Sequence, residues 1–378
     1  MTSLPLPTDP TLDPAWQRVR RVLAVRLDNL GDVLMTTPAL AAIKESLPGV
    51  HLTLLASRSG ALLKRHLPMV DEVIEHEAGW VKNDRAASAD DDLALVQRLA
   101  AGQYDAAVIF TVCTQNPLPS AMLCRLAGIP LRAAYCRENP YALLTHWLRE
   151  PDTQVATARH EVQRQLDLVG SVGWRTADAR LRFALHDTDH DTLAAKLRLA
   201  GLGPGQPWVV LHPGATAASR RWPAARFGQA ADAIAADTGC AIVFSGSAGE
   251  QALIDEARAQ MSQPSISLAG ALSLGELAAL VAGAQVLVSN NSGPVHLAAA
   301  LGTPVVDLYA LTNPQHTPWL VPAKVLNRDV PCRNCLKSVC PQGHHQCLLG
   351  VPASEVAEAT RALMAGRHKR VPIPLVEA

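Results

Sequence analysis

The feature that most constrains this chain is a short apolar run, Arg21 to Leu27 (RVLAVRL), ending in the turn Asp28-Asn29-Leu30-Gly31-Asp32. Apolar residues without polar alternation, over so short a length, suit a parallel strand buried on both faces by helices. The pattern predicts a helix from Thr36 to Ser46, with Pro38 in its first turn, where a missing N–H matters little. His51 to Ala56 (HLTLLA) and Ala106 to Thr111 (AAVIFT) are further strands of this kind. Such strands separated by helices require right-handed crossovers and so a parallel sheet.

The same alternation restarts at Pro207. Trp208 to His212, Ala241 to Ser245, Gln285 to Ser289 and Val305 to Tyr309 are strands; Arg226 to Thr238, Leu274 to Ala282 and Pro294 to Leu301 are helices. Between the two series, His160 to Trp174 has a helical pattern and Asp178 to Asp189 that of a connector. The acidic stretch Asp84–Asp92 is expected to be a mobile loop. At 378 residues the chain is long for one core. The expectation is an α/β protein of two Rossmann-like domains, at 21–185 and 186–350. A Pro-rich leader at 1–20 precedes them, and a C-terminal helix at 351–378 is expected to pack back on the first domain.

Charge and apolar content exclude some functions. Lys+Arg and Asp+Glu are equal at 34 each, so no global field favours nucleic acid. No apolar run reaches the roughly 18–20 residues of a membrane span. The N-terminal segment lacks the basic-then-apolar layout of a signal peptide. Cys113, Cys124, Cys136 and Cys240 lie among apolar residues and are expected in the core.

Three strand-to-helix turns carry candidate chemistry, because ligands of open α/β sheets bind beyond the strands' carboxyl ends. In the first, Gly31 allows close backbone approach, and Asp32 sits where a helix begins; its carboxylate can cap that helix, act as a base, or both. In the second, His212-Pro213-Gly214 is followed by Ser219-Arg220-Arg221, whose guanidiniums suit a diphosphate or merely a solvated face. In the third, Asn291-Ser292-Gly293-Pro294-Val295-His296 opens a helix, either as an ordinary cap or as an anion site of unpaired amides. None is a P-loop or a GxGxxG fingerprint, which argues against an NTPase or a dehydrogenase.

Taken together, Asp28 to Pro38, His212 to Gly214, Arg221 to Pro223 and Ser292 to Ala300 resemble, in order and spacing, the signatures of the family 9 glycosyltransferases, the lipopolysaccharide heptosyltransferases. The resemblance implies a GT-B fold: two facing Rossmann-like domains with an interdomain cleft, acceptor on the first and nucleotide sugar on the second. It implies inverting transfer of a heptose from ADP-heptose to a lipopolysaccharide core acceptor, with no cofactor or metal required for catalysis. Asp32 falls on the general base and Arg220 on a basic residue at the donor phosphates. Ser292, Gly293 and Pro294, followed by Val295 and His296, open the helix facing the diphosphate. His212, Gly214, Ser219, Arg221, Ser245, Gly246, Asn291 and Thr312 complete the donor side; Gly31, Arg58, Lys64 and Lys82 are acceptor-side candidates. With no span or signal pattern, a cytoplasmic location is expected, and peripheral contact at the inner face of the inner membrane is left open. Two departures stand out. Arg220 replaces a common lysine and keeps its charge, whereas Asn291 replaces a common acid, which bears on the donor's identity. The alternatives are another nucleotide sugar on a different cell-surface glycan, or a catalytically silent nucleotide-sugar binder.

Cys332, Cys335, Cys340 and Cys347, with His344 and His345 among them, form a compact Cys-rich loop. The spacing suits a structural zinc or an iron–sulfur cluster, although the second pair is not that of a zinc ribbon. Reduced thiols or a disulfide are the other readings, and none is catalytic.

Overall fold

Buried apolar runs set both sheets. In β1 (Arg21–Arg26) and β2 (His51–Ala56) every residue after the first is buried. The computed structural model describes residues 14–81, 88–150 and 159–367. The chain divides into two compact units between Ala184 and Leu185. No helix among the described residues is long and apolar enough to cross a membrane.

In the first unit, β1 and β2 are joined by β3 (Glu72–Glu75), β4 (Ala106–Ile109), β5 (Leu131–Cys136) and β6 (His146–Arg149). All neighbours are parallel, in the order β3-β2-β1-β4-β5-β6. The helices are α1 (Pro14–Gln17), α2 (Leu30–Ser46), α3 (Arg58–Ala61), α4 (Ala89–Ala101), α5 (Leu118–Leu126) and α6 (Glu161–Gly170). One core joins Leu23, Val25 and Ile109 of the sheet to Leu95 and Leu99 of α4 and Ala121 of α5.

The structure corrects several expectations here. Part of the expected leader is packed: Trp16 of α1 is buried edge-on to Trp174, their ring centroids 5.4 Å apart. Residues 1–13 lie outside the described residues, as do Lys82 and the first part of the acidic stretch. The rest of that stretch is no loop. Asp90, Asp91 and Asp92 form the first turn of α4, where the helix dipole favours them, and the Ser88 hydroxyl accepts from the Asp91 N–H at 3.1 Å.

Helix α2 begins at Leu30 rather than Thr36, because Asn29 is extended and its N–H donates to the Asp32 carboxylate at 3.2 Å, closing the first turn. Pro38 therefore lies inside the helix. The carbonyl it cannot bond, that of Leu34, accepts the Thr37 hydroxyl at 2.7 Å.

The second unit repeats the plan. Strands β7 (Trp208–His212), β8 (Ala241–Phe244), β9 (Ser265–Ser267), β10 (Leu287–Asn290), β11 (Val305–Leu308) and β12 (Ala323–Leu326) run parallel in the order β12-β11-β10-β7-β8-β9. Renumbered from β7, that is the order of the first sheet. The helices are α7 (Asp187–Leu199), α8 (Ala224–Thr238), α9 (Gln251–Arg258), α10 (Leu274–Gly283), α11 (Gly293–Leu301), α12 (Gln346–Leu349) and α13 (Ala353–Arg367). The expected connector 178–189 thus already contains the start of α7.

The C-terminal helix, expected to pack back on the first domain, shares the core of the second unit. Its Val356, Ala357, Ala359 and Leu363 share a core with Phe227 and Ile234 of α8, an apolar stripe at helical spacing meeting its complement. In both sheets the strand order reverses beside the first strand, at β1/β4 and β7/β10, where α/β sheets open a crevice for ligands.

Candidate functional site

At the end of β1 a fully buried arginine gathers carboxylates. Arg26 Nε lies 3.2 Å from Asp28, and Nη2 lies 3.4 Å from Asp32 and 3.2 Å from Glu161. Glu161 opens α6 and lies 3.8 Å from Arg164, which also pairs with Glu150. Burial lowers the Arg26 pKa, but Asp28, Glu161 and Asp32 together raise it above its usual value. Asp28 is pushed up to about 6 by burial, against the pull of Arg26 and with a further push from Asp32.

Asp32 is the member open to water, its side chain 15% exposed against 8% for Asp28 and 0% for Glu161. It both caps α2 and holds an oxygen oriented by Arg26. Such a carboxylate can take a proton from a hydroxyl. Gly31 is buried beside it in the first turn of α2, while Arg58 and Lys64 are exposed, on α3 and the following 3-10 turn.

The second unit places amides where the first has ions. Asn290, the last residue of β10 and 0% exposed, accepts the Trp222 N–H at 3.0 Å and donates to the Pro213 carbonyl at 2.7 Å. It locks the turn after β7 to the turn after β10. Asn291 is also turned inward: its amide donates to Asp307 at 3.0 Å and to the His316 carbonyl at 2.9 Å. Asp307 is fully buried in β11. Burial pushes its pKa up to about 8, opposed by the Asn291 hydrogen bond and the Arg220 charge.

His212 closes β7, with Nδ1 3.1 Å from the Ser245 hydroxyl, and burial holds its pKa below the usual value. A Cβ on Gly214 would fall 1.8 Å from a carboxylate oxygen of Glu250, so a side chain there would displace that carboxylate; Gly246 also lies against Glu250.

Not every expected donor contact faces outward. The Ser219 hydroxyl donates to the Lys337 carbonyl at 2.7 Å and so fastens the Cys-rich segment. Exposed Arg221 donates from Nε to the Ala215 carbonyl at 2.7 Å, and partly buried Arg220 directs its charge toward Asp307 and Tyr309. At the start of α11, Ser292 is extended and its hydroxyl donates to the Asn290 carbonyl at 3.1 Å. Pro294 has no N–H and that of Val295 bonds the Ser292 carbonyl at 3.0 Å, so the amide cradle is smaller than expected. His296 is buried in α11, and Thr312 is buried with its carbonyl accepting the Leu336 N–H at 2.9 Å.

The structural metal that was one reading of Cys332, Cys335, Cys340 and Cys347 is not supported. Among the described residues no group of three or more His, Cys, Asp or Glu side chains is disposed to hold an ion. Cys347 packs against the second unit's core, and Cys332 lies 3.5 Å from His344 Nε2. Backbone hydrogen bonds, first that at His345, hold the Cys340 thiol below its usual pKa, whereas burial raises Cys347.

Sequence patterns alone do not single out Arg26, Asp28 and Glu161 as a cluster, nor Asn290, Asp307 and Glu250. An arginine inside RVLAVRL and an aspartate inside VVDLY were visible signals, as was the capping pattern from Ser247 to Glu250. Nothing in the sequence pointed to Glu161.

Two Rossmann-like domains with polar turns at the switch point of each sheet are the parts of a GT-B fold. The sequence model of Glycosyltransferase family 9 (heptosyltransferase) matches residues 93–346. The chain belongs to that family. It is 29% identical over 327 residues to lipopolysaccharide heptosyltransferase 1 of Pseudomonas aeruginosa, covering 85% of this chain and 87% of that one. In fold it is similar to the family 9 glycosyl transferase of Veillonella parvula, with a TM-score of 0.79 at 23% identity over 92% of this chain and 98% of that one. The ADP-heptose lipopolysaccharide heptosyltransferase II of Escherichia coli has a TM-score of 0.73 at 23% identity, over 92% of this chain and 99% of that one.

Proposed function

We propose that this chain transfers a heptose from ADP-heptose to a lipopolysaccharide core acceptor in one inverting displacement, with Asp32 as general base. The observation that carries this reading is the Asp32 carboxylate: fixed by Arg26 and the Asn29 N–H, yet the most water-accessible acid of its cluster. In the displacement an acceptor hydroxyl attacks the anomeric carbon, its proton passes to Asp32, and the C–O bond to the diphosphate breaks. Negative charge then grows on the leaving diphosphate. In this reading Arg220 and the start of α11 stabilise it, the role a divalent ion fills elsewhere. Glu250, against the glycines after β7 and β8, suits the ribose hydroxyls of a nucleotide. A lipid-linked acceptor would bring the protein to the cytoplasmic face of the inner membrane.

A second reading keeps the chemistry and changes the donor sugar. It is favoured by Asn291, whose amide is spent on Asp307 and the His316 carbonyl. The test is to incubate the purified chain with core acceptor and ADP-, UDP- or GDP-sugars, then measure product mass and anomeric configuration by NMR. Transfer from ADP-heptose with inversion is expected. Retention would overturn the mechanism, and transfer only from another donor would establish the second reading.

A further inference from the structure

Beside the carboxylate cluster, the first unit holds a cavity of about 320 Å³. It lies at the β1/β4 switch point, walled by Leu27 and Asp28 after β1, Phe110 and Thr111 after β4, the loop before α5, and Trp80. Its volume is at the small end of ligand pockets, which run from about 300 to 1,000 Å³.

The chemistry of the walls is selective. Trp80 supplies an aromatic plate backed by His76, 6.2 Å away between ring centroids, and His76 is held by Asp92 of α4 at 3.0 Å. The Gln115 amide donates to Asp28 at 2.5 Å, and its oxygen accepts the Val112 N–H at 3.3 Å, so both polar groups are fixed before a ligand arrives. No lysine, arginine or histidine is among the described residues that line the cavity. Behind Asp28 stand Asp32 and Glu161 on the same guanidinium, an excess of negative charge. An aromatic face with planar amide and carboxyl groups matches a polyol, whose C–H face stacks while its hydroxyls hydrogen-bond. An anion meets no counter-charge among the described lining residues and faces the Asp28 carboxylate.

We propose that this cavity seats an uncharged sugar ring of the acceptor, with Trp80 against its C–H face and Asp28 and Gln115 on its hydroxyls. The proposal rests on the reading that the first domain is the acceptor's side. Because Asp28 and Asp32 share Arg26, a ring held here presents a hydroxyl near the base. Exposed Arg58 and Lys64 are not among the lining residues, so selection in this subsite is for neutral hydroxyls rather than a sugar acid.

The test needs no donor. The full chain is titrated, by saturation-transfer NMR, with methyl α-D-mannopyranoside and with its C6 carboxylate, methyl α-D-mannopyranosiduronate. The neutral glycoside is expected to bind at least about tenfold more tightly. Trp80→Ala should weaken it by a similar factor, and Thr114→Trp, which fills the mouth from an exposed position, should abolish the signal. Should Trp80→Ala fail to fold, as judged by its thermal midpoint, Thr114→Trp carries the comparison. Equal or tighter binding of the carboxylate, or binding unchanged in Thr114→Trp, overturns the subsite. If that happens while the chain still transfers heptose, the reaction stands and only this assignment falls. If binding behaves as expected but no nucleotide sugar is used, the reaction falls and the subsite stands.

Discussion

At the carboxyl end of β1, four acids (Asp28, Asp32, Glu150 and Glu161) crowd around the guanidiniums of Arg26 and Arg164. At the carboxyl end of β10, reached by the same strand order, Asn290 and Asn291 hold equivalent turns with neutral amides. The first arrangement depends on mutual compensation, since each buried ion is tolerable only while its partners remain. The second satisfies backbone groups directly and keeps its own charge low. Topology therefore fixes where the two sites lie, and side-chain chemistry decides that one is built from ion pairs and the other mainly from neutral amides.

The contrast breaks most visibly at Asp32. Asp32→Asn keeps the shape and removes the base, so transfer should fall about 10²–10⁴-fold. Protection of the protein by added ADP, read by thermal unfolding, tests the proposed donor site of the second domain and should persist. Turnover equal to the parent's would remove Asp32 from the mechanism and leave it a helix cap.

Next is the cluster's stability. Arg26→Met strands Asp28, Asp32 and Glu161 without their shared cation, and urea unfolding at pH 7 should show a loss of about 3–5 kcal/mol. A shift below 1 kcal/mol would mean that the acids are compensated elsewhere. The amide counterpart is milder. Asn290→Ala leaves the Pro213 carbonyl and the Trp222 N–H without their partner, at a cost of about 1–3 kcal/mol. If Asn290→Ala proved the more damaging of the two, the comparison would be inverted.

What could be anticipated from the sequence follows the same division. Strands such as WVVLH and AAVIFT were legible because they are buried on both faces, so their apolar runs are unbroken. Edge strands β3 (EVIE) and β9 (SIS) were not, since a half-covered edge needs no such run. The turns holding Asp32 and Ser292 were located by motif. Whether Asn291 or Ser219 faced a ligand or the chain's own backbone was invisible, because that depends on partners from distant segments. Arg26 and Glu161 are 135 residues apart, and only folding shows that they share a charge. The Cys loop shows the same limit: its spacing allowed a metal, reduced thiols or a disulfide, and among the described residues the four cysteines are free with no group of three or more ligand side chains disposed to hold an ion.

Asp307 is the exception in the second site, a lone buried acid among amides, and it gives the most specific prediction. Its folded pKa of about 8 lies above the 3.8 of an unperturbed aspartate, chiefly through burial. Below that lower value both states are protonated and Asp307 contributes nothing to the pH dependence. As pH rises from about 4 to about 8, the unfolded chain ionises while the folded one retains its proton, so stability falls, by at most about 1.4 kcal/mol per pH unit. Above about 8 both states are ionised and the slope from this group ends. Asp307→Asn should remove that slope, so the variant gains on the parent from pH 5 to 8 in urea unfolding. The hydrogen bond from Asn291 has an amide oxygen to accept it in the variant. Parallel stability–pH curves for parent and variant would show that Asp307 is ionised in the folded protein, balanced by Arg220, and would make the second site a charged cluster like the first.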